Sequence, residues 1–161
     1  MKILKVLILP TVCGMLAIAA PVYAADTAAT TNMQILLDKV KADKKLVVAA
    51  NMDLSDAESK AFWPIYDAYQ KDLMKLNERA AKMIESYAAA YNSGAMTDQQ
   101  AQTLINEALD VEASEAAMRK SYAAKLGKAL PAKKVARYLQ IENKIRAAIR
   151  FNMADKIPLV P

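Results

Sequence analysis

The stretch LSDAESKAFWPIYDAYQKDLMKLNERAAKMIESYAAAYNSG, residues 54–94, decides how this chain folds. Its apolar positions Phe62, Tyr66, Tyr69, Leu73, Leu76, Ala80, Met83, Tyr87 and Ala90 step alternately by 4 and 3 residues. A mean step of about 3.5 keeps one stripe on one side of an α-helix, as in a coiled-coil seam. Ile65, Ile84 and Tyr91 widen the stripe. Ser55 and Glu58 have the spacing of a capping box, in which each side chain satisfies the other's backbone amide. Asp56 and Glu58 also suit the positive end of the helix dipole. At the far end, Asn92-Ser93-Gly94 reads as a left-handed stop. Pro64 lacks an amide donor and is expected to kink the helix or restart it. A helix over residues 55–92 would be about 57 Å long, which suits an elongated hairpin better than a compact globule.

Working outward, Met96-Thr97-Asp98-Gln99-Gln100 opens a second helix, with Thr97 and Gln100 again at capping-box spacing. Leu104, Ala108, Val111, Glu115, Met118, Tyr122 and Leu126 continue the same rhythm. The connection between the two helices is short enough to force an antiparallel pair. Glu115 falls on the seam and leaves two readings open. Either the helix turns so that Ala116 faces inward and Glu115 stays wet, or Glu115 meets a Lys or Arg of the facing helix of the hairpin and fixes register. Gly127 and Leu130-Pro131 close this helix, and Pro131 suits the first position of the next. Val135, Tyr138, Leu139, Ile145 and Ile149, with Ile141 and Ala148 alongside, give that helix an apolar face to about Ala154. Ile157-Pro158-Leu159-Val160-Pro161 cannot continue it and reads as an extended apolar tail resting on its own domain or on a partner. Before the hairpin, Asn32 is placed to cap a helix running to about Val48. Its apolar positions Ile35, Leu36, Val40, Leu46 and Val47 are interrupted by Lys39, Lys41, Lys44 and Lys45. No segment alternates with period 2 between turns, so no β-sheet is expected. The expected fold is therefore all-α, a long antiparallel hairpin over residues 55–127 with flanking helices, the C-terminal one over residues 131–154.

Residues 1–24 read as a secretory signal peptide: Lys2 and Lys5, an apolar run broken by Pro10, then Val22-Tyr23-Ala24 with small residues before Ala25. Residues 25–31 are an Ala/Thr-rich flexible segment, and residues 32–161 form one domain. Cleavage gives a periplasmic protein with no stable membrane insertion, because no later stretch is long and apolar enough to span a bilayer. The chain carries 22 Lys and Arg against 17 Asp and Glu, a net charge of +5 that losing Lys2 and Lys5 lowers by two. It has no His, and its single cysteine, Cys13, leaves with the signal peptide. Disulfides, imidazole-based triads and Cys nucleophiles are thereby excluded from the processed chain. The two remaining glycines, Gly94 and Gly127, cannot build a phosphate-cradling loop.

Candidate chemistry is sparse. Glu107, Asp110, Glu112 and Glu115 cluster in the sequence, but no nucleophile or imidazole accompanies them, and neighbouring Arg119 and Lys120 point to a solvated ion-paired face. No catalytic residue, cofactor or metal site is expected. Zinc, nickel and cobalt would have only carboxylates and thioethers to bind, and the methionines are scattered. Lys71, Lys75, Arg79 and Lys82 form a basic stripe at 4-4-3 spacing, and Lys133, Lys134, Arg137, Lys144, Arg146 and Arg150 add a second basic region. With acidic residues interspersed and export expected, these read as a solvated helical face or as an electrostatic surface for acidic or unfolded clients or an anionic membrane surface, rather than for nucleic acid.

The phrases Leu54-Ser55-Asp56-Ala57-Glu58 and Met96-Thr97-Asp98-Gln99-Gln100 share the order apolar, Ser/Thr, Asp, any residue, Glu/Gln. In this the chain resembles the Spy/CpxP-like periplasmic proteins, which carry repeated L-T-x-x-Q elements at helix starts. The second phrase has Met for Leu; the first has Ser for Thr and Glu for Gln. Over residues 50–150 the resemblance implies an all-α hairpin, a homodimer, and an ATP-independent chaperone-like or envelope-stress protein that binds unfolded or envelope proteins. Lys71, Lys75, Arg79 and Lys82 would supply charge for client or partner binding. The alternative it implies is a regulatory accessory protein that docks on the periplasmic sensor domain of a two-component kinase.

Overall fold

A computed structural model of the chain describes residues 35, 39, 40 and 42–160. The expected signal peptide, the 25–31 segment, the cap at Asn32 and the last residue, Pro161, lie outside the described residues. The fold is all-α, and no strand occurs among the described residues. Helix α1 covers 42–52, α2 Asp56–Asn92, α3 Asp98–Leu126 and α4 Ala132–Ala154.

Local signals set most of these limits. Ser55 Oγ accepts from the Glu58 amide at 3.3 Å, and Glu58 Oε2 accepts from the Ser55 amide at 2.8 Å. Thr97 and Gln100 repeat the arrangement at 3.2 and 2.9 Å. Both helices thus begin with two otherwise orphaned amides satisfied. Gly94 ends the first arm with φ +64°, a conformation that costs glycine little. α2 runs through Pro64 without a restart. The carbonyl that Pro64 leaves without a donor is that of Lys60, and both residues sit on the exposed side, where solvent can bond it. Pro131 stands at the N-cap of α4, one position before the first helical residue. α1 extends four residues beyond the expected Val48, to Met52, and stops where Asp53 takes φ 48°. Asp tolerates that left-handed conformation better than most residues.

The short turns make α2 and α3 antiparallel along their length, and α4 returns beside α3. α1 runs antiparallel to α2: Lys44 reaches Gln70 and Lys45 reaches Asp67, while Val48 and Met52 enter the core near Phe62. Among the described residues all four helices meet at this basal end. There Phe62, Tyr66, Tyr69, Tyr122, Leu126, Leu130, Val135 and Tyr138 form one buried cluster. Phe62 and Tyr138 meet edge-to-face at 5.1 Å, as do Tyr69 and Tyr122 at 5.3 Å, an arrangement that favours the aromatic quadrupoles. Burying such a side chain stabilises the fold by about 2–3 kcal/mol before chain entropy is counted.

Every predicted seam position of α2 and α3 is at least partly buried. Two expectations need correction. Leu46 points to solvent, since Val48 and Met52 form the inner face of α1. Glu115 is not the wet residue of an inward-facing Ala116. Ala116 is exposed, and the Glu115 side chain retains 13% of its accessible surface while paired to two arginines of α4. Further along the hairpin, Met74, Ile105 and Leu109 are more than half exposed.

Candidate functional site

The four basic residues singled out from sequence all lie on α2, but they are not equivalent. Arg79 is held by Glu107 of α3 through two parallel bonds of 2.6 and 2.8 Å, with Asp110 further off at 3.9 Å. Its Glu107 partner, foremost, holds the guanidinium above its already high ordinary value, and Arg79 in turn keeps the Glu107 carboxyl below the usual range. Lys75 pairs with Asp72 one turn back at 3.0 Å. Lys71 and Lys82 are exposed and make no ion pair among the described residues. Half of the stripe therefore ties the molecule to itself, and half presents charge to solvent.

A groove of about 360 Å³ opens between α2, α3 and α4, above the level where α1 closes the base. Leu73, Leu76 and Ala80 of α2, Val111 of α3 and Ile145 and Ile149 of α4 supply its apolar lining. These residues share one hollow because the three helices present their seams to a common axis.

The two polar ends of the groove are closed networks. At the basal end Glu142, 4% exposed, accepts from Lys44 at 2.8 Å and from Gln70 at 3.0 Å. Lys44 also donates to Gln70 Oε1 at 2.9 Å, which completes a triangle linking α1, α2 and α4. Along the α3–α4 wall Glu115 accepts from Arg146 at 2.8 Å and from Arg150 at 3.1 Å, and Arg150 also lies 3.4 Å from Glu112. Arg119 adds a further cation to the lining. Burial, then the nearby Glu142 charge, pushes the Tyr69 and Tyr138 phenols well above their ordinary value, so both stay neutral, and Tyr138 Oη accepts from Gln70 Nε2 at 3.5 Å. No buried side-chain polar atom among the described residues lacks a partner.

The four carboxylates clustered in sequence are split by the fold. Glu107 and Asp110 face Arg79 of α2, whereas Glu112 and Glu115 face the arginines of α4. Pairing is thus between helices rather than along one helix. Among the described residues no group of three His, Cys, Asp or Glu is placed to hold a metal ion, and no helix is long and apolar enough to cross a membrane. Sequence reasoning missed Glu142. The signal was there: Val135, Tyr138, Glu142, Ile145 and Ile149 step by 3, 4, 3 and 4, and a carboxylate on that seam must find a partner inside.

Comparison with family models, with curated proteins and with solved structures finds no match to this chain.

Proposed function

We propose that this is an exported, periplasmic, ATP-independent chaperone-like protein that holds unfolded or partner proteins on a basic, apolar helical surface, with no reaction and no cofactor of its own. The observation that carries the reading is the open groove between α2, α3 and α4, apolar within and lined by Arg119, Arg146 and Arg150. Met74, also in the lining and more than half exposed, extends the apolar surface. Paired arginines keep their charge and can still attract acidic segments, while the apolar lining offers weak, adaptable contacts. Weak contacts suit release without ATP. Lys71 and Lys82 add long-range attraction from the outer face of α2. The Ser/Thr-x-x-Glu/Gln helix starts, and the resemblance to Spy/CpxP-like proteins that they carry, lean the same way, as does the leader-like N-terminus.

The test is aggregation of a chemically denatured protein diluted into buffer with an equimolar amount of this chain, processed at Ala25. Suppression of light scattering is expected, with Val111→Glu, in the groove lining, weakening it. No suppression overturns the reading. A pull-down that returns one dominant partner in place of many weak ones would instead favour a regulatory protein docking on a sensor kinase.

A further inference from the structure

Beyond the end of α4 the chain turns over the hairpin tip. Tyr87 Oη donates to the Pro158 carbonyl at 2.7 Å. Ile157 and Val160 line a hollow of about 260 Å³ together with Met83, Ile84 and Tyr87 of α2 and Leu104 and Ile105 of α3. This places an extended Ile-Pro-Leu-Val segment on an apolar surface 71 residues away in sequence from its hydrogen-bond donor.

The contact is poorly filled. A hollow persists between tail and helices, Leu159 is 89% exposed and Val160 58% exposed. Apolar surfaces that do not touch forfeit their dispersion energy, and the only hydrogen bond described to the tail backbone beyond residue 157 is the one from Tyr87. The tail is therefore a weak occupant of a surface that could hold a better one. What it displays is a template: two apolar side chains three residues apart, an extended backbone and a carbonyl offered between them.

We propose that the hairpin tip is a binding site for an extended apolar segment of a client polypeptide, and that the C-terminal tail occupies this site in the resting molecule. The tail lowers the fraction of molecules with a vacant tip, and apparent affinity for any peptide falls by that fraction. A client segment with larger apolar side chains fills the hollow and displaces it.

Calorimetric titration with a synthetic peptide of residues 155–160 tests this on the full processed chain. The double variant Ile157→Asp/Val160→Asp should release the tail and bind the peptide about tenfold more tightly than the unaltered chain. Adding Leu104→Glu to that variant should abolish binding. Equal affinity for the released and unaltered proteins, no binding to the released protein, or binding that survives Leu104→Glu each overturns the proposal. Helical content by circular dichroism confirms that each variant is folded. Tyr87→Phe removes a bond that tail and peptide share, so it should not raise peptide affinity. Only the identity of the occupant as a client rests on the chaperone-like reading. A protein that binds the peptide at the tip yet suppresses no aggregation keeps the tip site and loses that function alone.

Discussion

Tyr122 donates its phenol proton to Asp72 at 2.7 Å across the α2–α3 interface, and this bond couples the fold to pH on both the acid and the alkaline side. The bond to Asp72, reinforced by burial, pushes the Tyr122 phenol up to about 12 from an ordinary 10.0. The same bond, with help from Lys75, holds Asp72 below its ordinary 3.8. Glu58, held chiefly by Lys134, and Glu107, held by Arg79, are likewise lowered from 4.5. For these carboxylates the stabilisation is complete above their unfolded values and is lost as pH falls through the lower folded ones. For Tyr122 it is complete below 10.0 and is lost as pH rises toward about 12. Tyr66, Tyr69 and Tyr138, raised chiefly by burial, add to the alkaline loss. Thermal melting followed from about pH 3 to about pH 11 should therefore show a plateau between roughly pH 5 and 9 with a fall on each side. Tyr122→Phe should soften both limbs, because it removes the titrating phenol and the bond that lowers Asp72.

At the level of elements, the two capping boxes and the 4-3 seams of α2 and α3 were legible in the sequence, because each depends on residues within one or two turns of one another. What could not be read depends on partners far along the chain. Glu115 finds Arg146 and Arg150 at separations of 31 and 35 residues, and Glu142 finds Lys44 at 98. The inner face of α1 is not legible for the same reason: four lysines blur its period, and docking against α2 and α4 selects Val48 and Met52 while leaving Leu46 exposed. Of the basic stripe, spacing located all four residues but could not tell that Glu107 would engage Arg79. The Glu142 triangle fastens α1 to the other helices. Replacing Glu142 with Ala leaves the Lys44 ammonium and Gln70 without their shared acceptor and should cost about 2 kcal/mol. Glu142→Gln, which keeps the shape and one acceptor, should cost about half of that. Urea denaturation measures both, and a Glu142→Ala protein as stable as the parent would show that α1 is held by Val48 and Met52 alone.

For the whole molecule, stability is graded along the hairpin. The basal end buries side chains from four helices, whereas among the described residues the tip has two helices sharing one seam and a loosely seated tail. Ala90 is the single buried residue of α2 beyond Tyr69, and it keeps 8% of its surface. Local opening is easiest where buried apolar contacts are few. Amide exchange should accordingly be slowest around Tyr66, Tyr122 and Tyr138 and at least about tenfold faster in residues 82–92 and 98–109. Uniform protection along α2 would contradict this grading. A yielding tip on a firm base also suits a surface that must accept segments of differing shape, since the base can stay folded while the tip adjusts.

The one indole of the chain, Trp63, lies in the basal cluster against Phe62 and Tyr66 at 4.9 and 5.3 Å, with the Lys45 ammonium of α1 5.1 Å from its ring. Its emission is therefore a built-in optical gauge of whether the first helix is seated. Detachment of α1 would take the cation from the ring and admit solvent, so the event can be followed on unlabelled protein, apart from anything happening at the opposite extremity.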